Sequence, residues 1–139
     1  EVKMREWSVA RYGWLLNSRS RIAEAVQPHF EAPVPKDRLE EYYLVCCNAS
    51  NWGAMIDLAR DENGSRVEEL ARLDRPVLLL WGARDIAYKP ERFAAEFARR
   101  LPRAELVLVA GAGHYPHEER PADVARELRA FVERTSGKE

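Results

Sequence analysis

The sequence predicts an α/β domain with a parallel sheet covered by helices, preceded by a region that is helical only. Two observations support this fold class. The runs Val77–Trp81 and Leu106–Val109 are apolar without polar alternation, which is typical of strands buried on both faces. Between them, apolar residues recur at intervals of four over Phe93–Leu101, as on one face of a helix. Such a strand–helix–strand unit usually has neighbouring parallel strands, which we place at about 77–81 and 106–110.

Residues 1–74 are predicted to form the helical region, and residues 75–139 the α/β core. In the helical region, apolar and aromatic residues recur three or four positions apart, which is the pattern of amphipathic helices. The residues in this pattern are Met4, Trp7, Ala10, Trp14, Ile22, Val26, Leu39, Tyr42, Tyr43, Cys46, Trp52, Met55, Ile56, Ala59, Val67, Leu70 and Leu73.

Two segments of the helical region have the sequence of a capping box. Asp37–Glu40 and Ser65–Glu68 each place an oxygen-bearing side chain three residues before a glutamate, which predicts a helix start at each segment. In the core, proline at position 90 fits the first turn of a helix, and Pro102 ends that helix. Pro121 begins the last helix, which carries apolar residues on one side.

The composition excludes several classes of function. The 139 residues carry a net charge of −1, so we expect neither nucleic acid nor an anionic membrane surface as a partner. No apolar run approaches the roughly 20 residues of a membrane span, and no signal-peptide pattern is present. Cys46 and Cys47 are adjacent, so we interpret them as reduced, small apolar residues of a cytoplasmic protein. The alternative is that one of them is a nucleophile.

An aspartate and a histidine follow the two predicted strands. Asp85 lies just beyond the first strand, and His114 lies just beyond the second, in a loop with Gly111 and Gly113. The carboxyl ends of neighbouring parallel strands open on one edge of the sheet, where α/β proteins bind ligands. We therefore expect Asp85 to meet His114 there and to orient its imidazole for proton transfer. The two glycines would allow a tight loop with unusual dihedral angles.

These motifs resemble those of a known family. The segment from Leu73 to about Val132 resembles the C-terminal third of an α/β-hydrolase, and the residues that carry the resemblance are Pro76–Gly82, Asp85, Gly111–His114, Glu119 and Pro121. The resemblance implies that Asp85 is the acid and His114 the base of a catalytic triad, in the family's order of nucleophile, acid and base. It also implies that Glu119 holds the histidine loop in place.

The nucleophile of the family is missing from the sequence. No serine lies in a Gly-x-Ser-x-Gly motif, and the chain begins at Glu1. We therefore expect a fragment that contains a cap and the C-terminal core but lacks the nucleophile-bearing half, and that is inactive alone. The complete protein would hydrolyse an ester, an amide or a related apolar small molecule without a cofactor.

The helical region resembles the lid that many α/β-hydrolases carry above the active site. Its aromatic residues are candidates for lining an apolar substrate pocket: Trp7, Trp14, Tyr42, Tyr43 and Trp52. The alternative is that they pack the core of the lid itself, because aromatic residues at helical spacing usually face inward.

The alternative to the hydrolase is a non-catalytic module that binds a small molecule, or an inert remnant of the fold. A metal site formed by His114, His117 and Glu118 is disfavoured, because these residues share a Gly/Pro-rich loop and not a helix face. An incomplete parallel sheet would expose a strand edge, which predicts a partner chain or self-association.

Overall fold

A computed structural model describes residues 18–48, 51, 54, 57, 58 and 66–136. The chain forms two compact units. The first comprises residues 1–28 and 33–65, and the second comprises residues 29–32 and 66–139. The expected division after residue 74 stays a prediction. Trp7, Trp14 and Trp52 lie outside the described residues.

In the first unit, the described residues include the α-helices α1 (Arg19–Val26) and α2 (Lys36–Cys46). A 3₁₀ turn follows α1 at Gln27–His29. Helix α1 begins at Ser18, whose hydroxyl accepts a hydrogen bond from the Arg21 N–H. Such a cap satisfies one of the free N–H groups of a helix start. The predicted capping role of Asp37 is wrong: Asp37 lies inside the first turn of α2, which makes no side-chain cap. The negative charge of Asp37 still interacts favourably with the positive end of the helix dipole.

An ion pair joins α1 to α2. The Arg19 guanidinium donates to both carboxylate oxygens of Glu40, from Nε at 2.6 Å and from Nη2 at 2.7 Å. This hydrogen-bonded contact with Arg19 lowers the pKa of Glu40. The guanidinium also lies 4.2 Å from the ring centroid of Tyr43. The planar group therefore binds a carboxylate at its edge and an aromatic ring at its face.

The second unit contains the predicted strand–helix–strand unit. Strands β1 (Val77–Gly82) and β2 (Ala104–Val109) are parallel and adjacent, and helix α3 (Phe93–Arg100) connects them. The α/β fold class is therefore confirmed, with β2 beginning two residues before its predicted start. Two helices follow, the short α4 (Pro116–Glu119) and α5 (Pro121–Ser136).

Before β1, the chain forms a 3₁₀ helix at Val67–Arg72. The sequence predicts an ordinary helix here, started by Ser65. Instead, Arg66 occupies the cap position and its side chain makes no capping hydrogen bond, and Ser65 lies outside the described residues. A six-residue segment without a capping side chain can form the tighter 3₁₀ turn, which is used in short pieces.

The core of the second unit lies where the last helix packs against the sheet. Val109, Ala112 and Val124 are buried together, and Leu80 packs against them. The strands are less buried than their apolar sequence predicts. Residues 77–81 of β1 are only half-buried. Among the apolar residues of the two strands, Leu108 of β2 departs furthest from the expected burial and is 49% exposed. Among the helices in the described part of the chain, none has both the length and the apolarity to cross a bilayer.

Candidate active site

Asp85 is fixed in the turn that follows β1. Its N–H donates to the Gly82 carbonyl at 3.2 Å. Its Oδ1 accepts two hydrogen bonds, from the N–H groups of Ala87 and Tyr88, each at 2.9 Å. The residue is only 5% exposed. Buried carboxylates need such partners, and these two donors leave Oδ2 free for another one.

The turn after β1 is joined to the loop after β2. The Ala83 N–H donates to the carbonyl of Val109, and the Arg84 N–H donates to the carbonyl of Ala112, both at 3.0 Å. Gly111 has φ of +65°, a conformation that favours glycine. These backbone contacts hold the two loops side by side at the carboxyl ends of the strands.

Two other glycines are required for space. A Cβ on Gly82 would lie 1.7 Å from the carbonyl oxygen of Gly113, and a Cβ on Gly113 would lie 2.5 Å from the carbonyl oxygen of His29. The sequence suggested unusual dihedral angles for both loop glycines, but among the described residues only Gly111 has a positive φ. The expectation is therefore corrected for Gly113, which allows a close backbone contact instead.

The structure brings Asp85 and His114 together. Asp85 Oδ2 lies 2.8 Å from His114 Nδ1. Because a carboxylate can only accept hydrogen bonds, Nδ1 is the donor in this contact, and in a neutral imidazole Nε2 then has the lone pair. The aspartate side chain is 3% exposed and the histidine side chain 26% exposed. This arrangement can take a proton at Nε2 while the carboxylate stabilises the resulting imidazolium.

The backbone of the histidine loop is held by residues distant in the sequence. The His114 N–H donates to the His29 carbonyl at 2.7 Å. The Glu119 carboxylate bridges two backbone groups: it accepts from Gly113 at 2.7 Å and from Glu31 at 2.6 Å. Arg84, at the end of β1, forms an ion pair with Glu31. Glu119 therefore holds the loop, as the family resemblance implied.

Segment His29–Ala32 thus belongs to the site, although no sequence pattern places it there. It lies between prolines in what the sequence marks only as a loop, and the Glu31–Glu119 contact spans 88 residues. No periodicity connects positions this far apart. The clustered prolines are the single sequence feature that points to an ordered segment there.

Three aromatic rings surround the imidazole of His114. Tyr88 stacks on it with a centroid distance of 5.3 Å and an interplanar angle of 28°. Tyr115 meets it edge-on at 4.8 Å, and the His29 ring lies at 5.5 Å. Stacked and edge-on contacts at these distances are favourable for aromatic rings. They restrict the orientation of the imidazole in addition to the bond from Asp85.

Of the other predicted site residues, the structure describes Tyr42 and Tyr43. Tyr42 and Tyr43 are half-buried on α2, and their pocket-lining role stays a prediction. In the part of the chain that the structure describes, no group of three or more potential metal ligands is present.

Burial raises the pKa of the Cys46 thiol, and the neighbouring Cys47 adds to the shift. Activated thiols have a lowered pKa, so Cys46 does not have the properties of a nucleophile.

The contacts of Glu119 predict that replacing this residue destabilises the fold. Replacing Glu119 with glutamine puts an amide nitrogen, which cannot accept, opposite one of the two backbone N–H donors. Losing a hydrogen bond to a charged group should lower the free energy of unfolding by about 1–3 kcal/mol, measured by urea denaturation. The control is Glu127→Gln, because Glu127 pairs only with exposed Arg126 among the contacts described and should change stability little. Equal stability of the two variants would contradict this role of Glu119.

Comparison with known proteins supports the fold class. A sequence model of the alpha/beta hydrolase family matches residues 3–127. A cis-3-alkyl-4-alkyloxetan-2-one decarboxylase from Xanthomonas campestris is 41% identical over 61 residues, which are 44% of this chain and 20% of that protein. Esterase YbfF from Escherichia coli is 31% identical over 65 residues, 47% of this chain and 25% of that protein.

The fold also matches solved structures. The crystal structure of a membrane phospholipase A, described as a bacterial virulence factor, superposes with a TM-score of 0.67 at 26% identity. The match covers 89% of this chain and 41% of the phospholipase chain. The chain thus spans less than half of this structure, and its matches cover a quarter or less of the two curated relatives. Because the family model covers most of its residues, the chain belongs to the alpha/beta hydrolase family.

Proposed function

We propose that this chain carries the acid and the base of a catalytic triad in a hydrolase. Asp85 is the acid and His114 is the base. The observation that supports this most strongly is their 2.8 Å contact, at the edge of the sheet where parallel α/β proteins bind ligands. The two backbone N–H groups on the other oxygen of Asp85 keep its carboxylate pointed at the imidazole.

In the proposed reaction, Nε2 of His114 removes the proton from a nucleophile as that nucleophile attacks the substrate carbonyl. The imidazolium then gives the proton to the leaving group, and a second cycle with water releases the acyl group. Asp85 remains ionised throughout and stabilises the positive charge of the imidazolium. Such acid–base work contributes about 10²- to 10⁴-fold to the rate.

We further propose that the nucleophile, expected to be a serine, comes from polypeptide outside these 139 residues. The sequence contains no Gly-x-Ser-x-Gly motif, and the curated relatives are several times longer than the parts that match. Without a nucleophile, a proton-transferring pair cannot form an acyl-enzyme. The 139-residue chain alone is therefore expected to show no turnover.

The proposed substrates are esters, amides or related apolar small molecules. The support for esters is the likeness to an esterase, and the family likeness supports hydrolysis in general. The aromatic residues of the helical region remain candidates for an apolar pocket, which would suit such substrates. Fold alone does not decide among these classes, so the class is tested by assay.

The test is hydrolysis of p-nitrophenyl esters by the protein as its gene encodes it. We expect turnover by the encoded protein, no turnover by the isolated 139-residue chain, and loss of turnover in the His114→Ala variant. Binding of the esters without turnover by the encoded protein would contradict the proposal and favour a binding module. Turnover by the isolated chain would contradict the external nucleophile.

The isolated chain is also proposed to associate through its sheet. Among the described residues, β1 and β2 form a two-stranded sheet. Within these residues, each strand therefore has one edge that pairs with no other strand. Unpaired edges bind other strands, and the exposed Leu108 of β2 adds apolar surface. Sedimentation of the isolated chain should show oligomers or aggregates. A monodisperse, stable monomer would contradict this prediction.

A further inference from the structure

Tyr88 contacts both members of the Asp85–His114 pair. Its N–H donates to Asp85 Oδ1 at 2.9 Å, and its ring stacks on the His114 imidazole. Its carbonyl accepts from the indole nitrogen of Trp81 at 2.8 Å. The ring of Phe93 lies edge-on to the tyrosine ring at 5.1 Å. These contacts hold Tyr88 in place at its backbone and at its ring.

Core packing does not account for this placement. Tyr88 is 46% exposed, so its ring buries only part of its apolar surface. The ring is stacked on the His114 imidazole, at 5.3 Å between centroids and 28° between planes, and it also meets the ring of Phe93. A half-exposed ring that is stacked on the imidazole is in a position to act on His114.

A stacked tyrosine affects the two charge states of an imidazole differently. The face of an aromatic ring carries negative charge density, and it attracts a cation within about 6 Å by about 0.5–2 kcal/mol, depending on exposure. A neutral imidazole gains stacking energy without this attraction between charge and ring face. If His114 accepts the proton of a nucleophile, the attraction to Tyr88 increases as the charge develops. An interaction that strengthens in the transition state raises the rate of the chemical step.

We propose that Tyr88 is a positioning residue for His114, whose ring face orients the imidazole and stabilises its protonated form during the reaction. This inference rests on the proposed function. It assigns a role to a residue that the triad pattern does not include. Asp85 acts on the imidazole from its edge at Nδ1, whereas Tyr88 acts on its face.

The test compares Tyr88→Leu with Tyr88→Phe in the encoded protein. Leucine removes the π face, and we expect kcat for a p-nitrophenyl ester to fall about 2- to 30-fold, the range that corresponds to the cation–π energy. KM should change little, because the ring acts on the charge of His114. Phenylalanine keeps the face, so Tyr88→Phe should retain the wild-type kcat. An unchanged kcat in Tyr88→Leu, or an equal loss in Tyr88→Phe, would overturn the proposal.

Two controls separate this role from a general loss of packing. Phe97→Leu removes a ring that lies against Trp81 at 6.3 Å instead of against His114, and it should leave kcat unchanged. In nuclear magnetic resonance spectra, the ring of residue 88 should move the imidazole proton resonance of His114 upfield in the wild type and in Tyr88→Phe. This displacement should disappear in Tyr88→Leu, and its persistence there would overturn the stack.

The design also separates this inference from the proposed function. Full activity in His114→Ala would overturn the proposed function and the role of Tyr88 together. Loss of activity in His114→Ala with full activity in Tyr88→Leu would overturn only the role of Tyr88. Rates are compared at a temperature where near-ultraviolet circular dichroism shows each variant folded. If Tyr88→Leu does not fold, the kcat and the histidine resonance of Tyr88→Phe decide: wild-type values support the role, and altered values overturn it.

Discussion

Replacing His114 with alanine in the encoded protein should lower kcat/KM for a p-nitrophenyl ester by about 10²- to 10⁴-fold. Alanine removes the nitrogen that would accept the proton of the nucleophile, and it leaves the carboxylate of Asp85 without its imidazole partner. The loss should appear mainly in kcat, because the imidazole acts in the chemical step and not in substrate binding. The measurement is steady-state hydrolysis, followed by the absorbance of the released nitrophenolate.

A nearby histidine provides a matched control for this variant. His117 lies three positions further along the same segment, with a side chain that is 65% exposed. His117→Ala should keep the wild-type kcat/KM, because His117 is not part of the proposed triad. A similar loss in both variants would show that the loop tolerates no change and would remove the support for a specific base at His114.

Asp85→Asn tests the same pair from the other side. An amide can present its NH₂ group to Nδ1, which would favour the wrong imidazole tautomer, so a loss of up to about 10⁴-fold in kcat is expected by analogy with known triads. Asp74→Asn is the control, because the Asp74 side chain is 90% exposed. Wild-type activity in Asp85→Asn would contradict the role of the carboxylate.

Replacing Gly82 with alanine should destabilise the fold strongly. The added Cβ would lie 1.7 Å from the carbonyl oxygen of Gly113 and 2.7 Å from that of Ala112. Both contacts are with backbone, which cannot move aside without separating the end of β1 from the histidine loop. We expect a loss of about 4 kcal/mol or more in the free energy of unfolding, which is at the upper end for overpacking. Chemical denaturation would measure this loss, if the free energy of unfolding falls with denaturant concentration at the same slope in the wild type and in the variant.

Gly111→Ala is the comparison for this variant. Gly111 has φ of +65°, and a Cβ there meets only the flexible end of the Arg120 side chain, at 3.0 Å. The cost should therefore be the dihedral strain alone, about 1–2 kcal/mol. A smaller loss in Gly82→Ala than in Gly111→Ala would contradict the close contact between β1 and the loop.

Parts of the site follow from sequence patterns because their causes are local. The apolar runs around Leu79 and Val107 mark strands, since consecutive apolar residues suit a sheet that is covered on its faces. The parallel arrangement then places Asp85 and His114 at one edge, because the crossover returns the chain in the same direction. The helix boundaries are less predictable. Asp37 looks like a cap by its spacing to Glu40, yet the helix begins one residue earlier, at Lys36.

Other parts of the site depend on the path of the whole chain. The role of Gly113 depends on the His29 carbonyl that lies 2.5 Å from where its Cβ would be. The stacking of Tyr88 depends on the position of a ring that enters from another loop. Neither contact has a signature in spacing or composition, because each joins two irregular segments.

Sequence patterns are sufficient to predict the α/β fold class, the two parallel strands and the pair formed by Asp85 and His114, because strand and helix periodicity is local and a helical crossover makes the strands parallel. The way in which the imidazole is held depends on tertiary contacts instead. The contact of Glu31 with Glu119 across 88 residues, the close approach of Gly82 and the ring of Tyr88 all depend on long-range packing. Loops have no repeating pattern, so their hydrogen bonds and ring contacts are set by where the packed elements bring the backbone.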